Sequence, residues 1–315
     1  MSNVILKDCI YGFVKIPNLC LNFINTMEFQ RLRNIKQLGI VYFVYPSAVH
    51  TRLEHSIGVM HLCGKIIDVL LENNVIITKR EKELVQLAGL YHDIGHIGFS
   101  HMIDNILHEK GYDNHEKRSC YLLEKVNNKL KMLEDYEVNI VKDMILGKSQ
   151  NRIKKFLFEI VHNELCGIDM DRLDYLQRDS YHTNLPGFQP DYLINCARVK
   201  DNKLCFLEKA KEEIYLMFQS RRRFLVSVCR HKTVLMIERE IKKILKELKL
   251  IENWKDIDWL NLDDIELLYL IKKSHIYKNI CERNWDKTKI KDRLKTCTII
   301  NNIDIEKEIN KVRII

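Results

Sequence analysis

Tyr91-His-Asp-Ile-Gly-His-Ile-Gly-Phe-Ser-His101 is the stretch on which the reading of this sequence turns. Leu84, Leu87, Ala88 and Tyr91 recur at helical spacing just upstream, so an apolar helix leads into it. His92 and Asp93 lie off that stripe, and core burial does not explain them. Neighbours on a helix diverge by about 100°, yet at a helix end both reach one cation beyond it. Gly95 and Gly98 permit close backbone approach and a sharp exit, as at a turn lining a ligand.

Outward from this point the chain keeps reading as helix. Val59, Leu62, Cys63, Ile66, Ile67 and Leu70 form a second apolar stripe, and a third helix is expected over about 233–250. Prolines occur only at Pro17, Pro46, Pro186 and Pro190, and no glycine follows Gly187; long stretches without the two strongest breakers favour helices. Strand signals are few. Gly39 to Tyr45 reads as a short strand or a buried turn. Ala197-Arg-Val199 and Leu204-Cys-Phe-Leu207, joined through Asp201-Asn202, read as a small hairpin. Residues 183–191 read as a linker. The expected class is mainly α, with a core over 1–232 and a C-terminal helical extension over 233–315, separate or part of the same domain.

Composition narrows the function classes. The 315 residues are 46% hydrophobic and 30% charged, an ordinary globular balance. The net charge of +8 is uneven: residues 1–187 carry 23 basic and 23 acidic side chains, 188–315 carry 28 and 20, and 221–249 carry ten and three. A local basic block suits an anionic ligand, or nucleic acid bound through 221–249. The start, Met-Ser-Asn-Val-Ile-Leu-Lys-Asp, lacks the layout of a secretory signal. No run reaches ~18 apolar residues, so no membrane association is expected. The ten cysteines form no C-x-x-C pair; they suit a reducing compartment, the cytoplasm or nucleus.

A second cluster of chemistry lies in Asp169-Met-Asp-Arg-Leu-Asp-Tyr-Leu-Gln-Arg-Asp179. Asp171, Tyr175 and Asp179 fall at i, i+4 and i+8 on one helical face, with Arg172 beside them. Such a face suits a metal at one end and sugar hydroxyls further along. Arg52 and His55, at i and i+3, could offer a guanidinium to phosphate and an imidazole to metal. Two imidazoles and two carboxylates make a mixed N/O site suited to iron, manganese, zinc or nickel. His50, His61, His108, His162, His182 and His275 are read as ordinary core or surface histidines.

Met27-Glu-Phe-Gln-Arg-Leu-Arg-Asn-Ile-Lys-Gln-Leu-Gly39, Tyr45-Pro-Ser-Ala-Val-His-Thr-Arg-Leu-Glu-His-Ser-Ile-Gly-Val59, the stretch 91–101 and Gly167-Ile-Asp-Met-Asp-Arg-Leu-Asp-Tyr175 together resemble the HD-domain phosphohydrolases. The likeness is nearest to the deoxynucleoside triphosphate triphosphohydrolases of the sterile-alpha-motif-and-HD-domain type, without the sterile-alpha-motif domain. It runs to about residue 232 and more faintly to about 300. It implies an HD-type helical fold and hydrolysis of a dNTP to deoxynucleoside and triphosphate.

By that resemblance His55, His92, Asp93 and Asp171 are the ligands of one transition metal, with magnesium accompanying the nucleotide. Arg52 contacts phosphate, and His96, His101 and His115 surround the α-phosphate. His101 donates the proton, oriented by Asp104. Gln37 and Leu38 contact sugar and base; Arg172, Tyr175, Asp179 and Arg221 contact sugar and phosphate. The family's histidine and tyrosine beyond the arginine at 221 are replaced by Leu225 and Cys229. Asn25, Cys196 and Tyr192 depart from its regulatory pockets, so nucleotide-driven assembly of a homo-oligomer is expected to be weakened. Two alternatives stay open: an HD phosphatase or phosphodiesterase acting on another nucleotide, and a nucleic-acid-binding protein with a weakened active site.

Overall fold

The computed structural model describes residues 4–149, 153–250, 258–284 and 305–315. Those parts of the expected C-terminal lobe that fall at 251–257 and 285–304 lie outside the described residues. Helices dominate, as the breaker-poor sequence predicts. The centre is α3 (Arg52–Glu72), a 21-residue helix buried along nearly its whole length. Thr51 and Glu54 start it with a reciprocal capping box, which satisfies two otherwise orphaned backbone donors. Helices α4 (Lys79–Tyr91), α8 (Lys155–Val161), α9 (Met170–Thr183) and α10 (Pro190–Asn195) pack around it. Before it come α1 (Asn18–Ile24), α2 (Met27–Gln30) and two 3₁₀ turns, the second at Gly39–Phe43, which resolves the ambiguous 39–45 stretch as a buried turn. Between α4 and α8 lie α5 (His101–Glu109), α6 (His115–Leu130) and α7 (Asp135–Ile145).

Two antiparallel hairpins complete the fold. The expected one pairs β3 (Ala197–Lys200) with β4 (Lys203–Phe206). Asp201 and Asn202 turn it with φ of 52° and 59°, the left-handed pair that a two-residue hairpin needs. The other, β1 (Val4–Asp8) with β2 (Gly12–Ile16), was not expected. Its turn is closed by Asp8 Oδ1, which accepts from Ile10 N at 2.8 Å and Tyr11 N at 3.0 Å. That side-chain turn carries no Asn-Gly or Asp-Gly signature in sequence.

Close approach of α3 to α9 depends on Gly58. A Cβ there would lie 1.9 Å from Asp174 Oδ1 and 2.5 Å from Arg178 Nη2. The missing side chain is what lets an α9 carboxylate reach the imidazole of His55. The turn after α4 departs from expectation. Its left-handed residues are Phe99 (φ 57°) and Ser100 (φ 47°), not Gly95 or Gly98. Gly95 serves proximity instead: a Cβ would sit 2.2 Å from the carbonyl oxygen of His115.

Part of the sequence beyond 232 holds this turn in place. After α11 (Lys211–Phe224) and a wide turn at Leu225–Cys229 comes α12 (Lys232–Glu247). Its Ile237, Ile241, Ile244 and Leu245 share one apolar cluster with Ile97, Phe99, Met102, Ile103 and Leu107. In α13 (Asp264–Ile271), fully buried Asp264 accepts from Phe99 N at 2.8 Å and Lys36 N at 3.0 Å. Gly98 N donates to Leu262 O at 2.8 Å. Helix α14 (His275–Cys281) packs against α12.

Candidate active site and metal centre

Four donors converge where α3, the end of α4 and the start of α9 meet. His55 Nε2 and His92 Nε2 are 3.3 Å apart. Asp171 Oδ1 lies 3.1 Å from the first and 3.3 Å from the second. The oxygens of Asp93 lie 3.5 Å from each imidazole nitrogen. The far nitrogens of both rings are occupied: His55 Nδ1 pairs with Asp174 Oδ2 at 2.7 Å, and His92 Nδ1 donates to Gly89 O at 2.7 Å. That tautomer turns two bare Nε2 lone pairs towards two carboxylates. Such a ring of facing acceptors repels itself unless a cation lies at its centre. The donor set thus fits a divalent transition metal, and the Asp174 and Gly89 contacts are the outer partners such a histidine needs.

The electrostatics agree. Burial disfavours charge on His55, yet its bonds to Asp171 and Asp174 outweigh burial and raise its pKa to about 10, so without a metal a proton on Nε2 is the cation the ring of acceptors holds, and a metal displaces it. The Asp171 side chain is 38% exposed; the protein around its carboxylate still opposes charge there, but His55 and His92 hold it far below the usual carboxylate range. Asp93, which is buried, is kept ionised by Arg52, His92 and His96. The pocket therefore stabilises one or more positive charges at its centre.

Asp174 and Arg178 carry no role in the sequence reading. Arg178, fully buried, makes two bonds of 3.0 Å to Asp174 and one of 2.9 Å to Asp8. This chain runs from the first hairpin to the metal-facing ring of His55. The Asp174/Arg178 spacing of i, i+4 was the available signal; the Asp8 link was not visible.

A second cluster adjoins Asp93. His96 is fully buried and stacks on His115 with ring centroids 3.9 Å apart. His101 stands edge-on to both, at 5.0 Å and 5.7 Å. One expected detail is corrected. Asp104 orients His115, not His101: its Oδ2 meets His115 Nδ1 at 2.5 Å and accepts from the backbone of His115 at 3.3 Å, while its Oδ1 accepts from Arg118. The start of α6 brings His115 onto the carboxylate and commits both oxygens. His101 opens to solvent. Desolvation by the surrounding protein, with the charges of Arg52 and His115, still presses its pKa down to about 4.

The turn joining the two clusters is tied down by its carbonyls. Arg31 donates to Ile94 O at 3.2 Å and to His96 O. Arg118 Nε donates to Gly95 O at 2.9 Å, and Ser119 Oγ to His92 O at 2.7 Å. Trp259 lies over both guanidiniums, 5.9 Å and 5.8 Å from ring centroid to the carbons of Arg31 and Arg118. None of these residues was singled out from sequence.

The expected substrate contacts are spread around this centre. Arg52 is buried, donates to Ser100 Oγ at 3.0 Å and pairs with Asp93. Gln37 is held beside it, its backbone N donating to His50 O at 2.9 Å, with half-buried Leu38 next in line. Tyr175 stands in the field of Arg172 and Arg221, whose charges counter the rise that burial imposes on its phenol. Gln37 Oε1, His96 Nδ1, Arg172 Nε and Arg221 Nε are buried without a hydrogen-bond partner in the protein, and His96 Nε2 has only Asp93 Oδ1, at 3.4 Å. Buried polar atoms left this way point to a ligand that completes them. Asp179 is already engaged by buried His50, whose Nε2 lies 2.7 Å from its Oδ1. His50 is thus the buried, satisfied histidine the sequence reading expected; that its partner is Asp179 was not visible from sequence.

Comparison with known proteins gives this geometry a family. Residues 52–179, which span the whole convergent donor set, match the HD domain. The chain is 35% identical over 306 residues to the deoxynucleoside triphosphate triphosphohydrolase SAMHD1 homolog of Dictyostelium discoideum, covering 90% of this chain and 59% of that protein. It is 33% identical over 320 residues to the putative HD domain-containing protein L394 of Acanthamoeba polyphaga mimivirus, covering 93% and 70%. Human SAMHD1, a deoxynucleoside triphosphate triphosphohydrolase, is 35% identical over 250 residues, covering 69% and 40%. The chain thus spans little more than half the length of the first of these relatives and less than half that of the human protein. With His55, His92, Asp93 and Asp171 gathered at one point inside the matched region, the chain belongs to the HD-domain family.

Proposed function

We propose that this protein is a metal-dependent hydrolase that converts a dNTP and water into a deoxynucleoside and inorganic triphosphate. The observation that carries the reading is the adjacency of two clusters. A cation-seeking His/Asp set borders a histidine set, and near Tyr175, four residues along α9 from Asp171, Arg172 and Arg221 each keep a buried guanidinium nitrogen without a partner. His55, His92, Asp93 and Asp171 would hold one ion of iron, manganese, zinc or nickel. A metal there supplies Lewis acidity towards a phosphate oxygen and lowers the pKa of water. Arg52, Arg172 and Arg221 bind the triphosphate and neutralise it, with magnesium on the nucleotide. Gln37, Leu38, Tyr175 and Asp179 orient sugar and base. His96, neutral because burial and the charges of Arg52 and His115 lower its pKa far below the usual value, offers a hydrogen bond and no charge.

His101 is the proton donor in this reading, because it is the ring of the cluster that faces solvent and hence the leaving group. Its low pKa is that of the free protein; a bound polyanion raises it by adding negative charge. The His115–Asp104 pair positions the neighbouring imidazole. Incubating the purified protein with each dNTP and resolving the products tests the reading. Deoxynucleoside with intact triphosphate supports it, and a monophosphate with pyrophosphate overturns it.

The extension beyond 232 acts in this reading as part of the catalytic domain, since Asp264 and Leu262 fix the turn that carries His96. The basic block serves the nucleotide through Arg221, not nucleic acid through its lysines. Lys242 and Lys243 lie on the outer side of α12 in helical pairs with Glu238 at 2.8 Å and Glu240 at 2.6 Å, the pattern of a solvated face. Arg221→Ala is expected to raise KM for a dNTP about tenfold or more, the cost of one charged hydrogen bond. Changing both Lys243 and Lys246 to Ala should leave kcat/KM within about twofold. Steady-state kinetics on both variants decide, and the reverse pattern favours nucleic-acid binding. The nine described cysteines are unpaired, which supports a reducing compartment, the cytoplasm or nucleus. No described helix is long and apolar enough to cross a membrane. Homo-oligomerisation, if present, depends little on guanine nucleotide in this reading, given Asn25, Cys196 and Tyr192.

A further inference from the structure

We propose a second metal site, for a soft divalent cation such as zinc, built from Cys9, Glu54 and His182. The three come from the turn of the first hairpin, the first turn of α3 and the last turn of α9. A ligand atom of each lies within 4.8 Å of those of the other two. Cys9 Sγ is 3.9 Å from His182 Nε2. Zinc bonds of about 2.3 Å to sulfur and about 2.0 Å to nitrogen separate such ligands by roughly 3.5 Å in a tetrahedron, so a small side-chain adjustment closes the site.

Each donor is already aimed. His182 Nδ1 lies 3.2 Å from Ser47 O. Donation to that carbonyl puts the proton on Nδ1 and leaves Nε2 bare towards the sulfur, the outer contact expected of a ligating histidine. His182 is also fixed by stacking on His50, with centroids 4.2 Å apart. Glu54 is anchored by its capping bond, its Oε1 accepting from Thr51 N at 2.8 Å. Cys9 is exposed, and the other two are half-buried, so the site is reachable and has room for water as fourth ligand.

The charges favour a dication. Arg178 is the nearby cation, 3.9 Å from Cys9 Sγ and 3.7 Å from Glu54. Its bonds to Asp174 and Asp8 already match its charge twice over. Even with Cys9 as a thiol, the three carboxylates Glu54, Asp8 and Asp174 outnumber the two cations Arg178 and His55, an excess of negative charge that a dication offsets. Thiolate, imidazole and carboxylate together select zinc over magnesium or calcium. Because α3 and α9 also carry His55 and Asp171, an ion here ties together, at their periphery, the two helices that shape the main centre.

The probe is cobalt(II), added to the metal-stripped protein. The main centre offers no sulfur, so a thiolate-to-cobalt charge-transfer band reports the second site alone. The band should appear in the parent protein and vanish in Cys9→Ser and His182→Ala, while the sulfur-free ion at the main centre is retained. As a check free of mutation, zinc should slow alkylation of Cys9, followed by mass spectrometry, about tenfold or more when the ion is in excess of its dissociation constant. A band that is absent, or that survives Cys9→Ser, overturns the site, as does alkylation of Cys9 indifferent to zinc. These readouts involve no nucleotide, so they stand apart from the triphosphohydrolase proposal.

Discussion

Asp171→Asn is expected to strip the metal from the main centre and abolish turnover while the fold persists. Asp171 Oδ1 touches both imidazole nitrogens, at 3.1 Å and 3.3 Å. An amide there offers a neutral oxygen to the cation, or turns its NH₂ towards it. The side chain is 38% exposed, so the change leaves little buried and unpaired. Asp93→Asn should also release the metal, but at a cost to the fold. It leaves Arg52 buried against an amide, and breaking a buried ion pair costs about 3–5 kcal/mol. In a Cys9→Ser background, where only the main centre can hold metal, analysis should find about one ion per chain, as a single N/O site implies, and almost none once Asp171→Asn or Asp93→Asn is added. Thermal melts should separate the two, with Asp93→Asn melting well below Asp171→Asn. Full occupancy in both would remove this assignment.

His101→Ala should slow turnover by ~10²–10⁴-fold, the range for loss of a general acid, with the metal still bound. The alkoxide of a departing nucleoside is a poor leaving group without a proton, whereas a nitrophenolate leaves unaided. The variant should therefore lose much less on a nitrophenyl phosphate ester than on a dNTP. The pH profile offers an independent reading. His101 acts in its protonated form, so kcat for the parent protein should fall as pH rises through its pKa in the complex. That value lies above the value of about 4 in the free protein, because the polyanion adds negative charge. In His101→Ala that alkaline limb should disappear. An equal loss on both substrates with the limb intact would move the proton to His115, which Asp104 holds at 2.5 Å.

Much of this centre was legible from sequence because it is built on helices. The stripe ending at Tyr91 places His92 and Asp93 at the end of α4, and α9 carries Asp171 on one turn. Periodicity predicts such placements within an element. It says nothing of what a neighbouring element delivers. Asp174 and Arg178 sit in the same acidic run, but their role depends on Asp8, 170 residues away from Arg178, and on the absence of a side chain at Gly58. Arg31 and Arg118 grip the carbonyls of the turn and Trp259 covers their guanidiniums, from three distant segments. The link of Asp104 to His115 instead of His101 follows from how α6 enters, which local spacing does not encode. The first hairpin was missed for a related reason: a single aspartate side chain supplies the turn chemistry that the glycine and asparagine signals usually announce. Phe99 and Ser100 have positive φ without being glycine; Phe99 is held by Asp264 of α13 and Ser100 by Lys36 and Arg52, all from other parts of the chain.

In the proposed reaction water attacks the α-phosphorus, the deoxynucleoside leaves, and the triphosphate is released intact in one step. Hydrolysis of a dNTP in oxygen-18 water, followed by mass spectrometry of both products, tests it directly. One heavy oxygen is expected on inorganic triphosphate and none on the deoxynucleoside, because attack at α-phosphorus expels the unlabelled 5′ oxygen. Label in the nucleoside, or products consisting of a diphosphate with orthophosphate or a monophosphate with pyrophosphate, would contradict it.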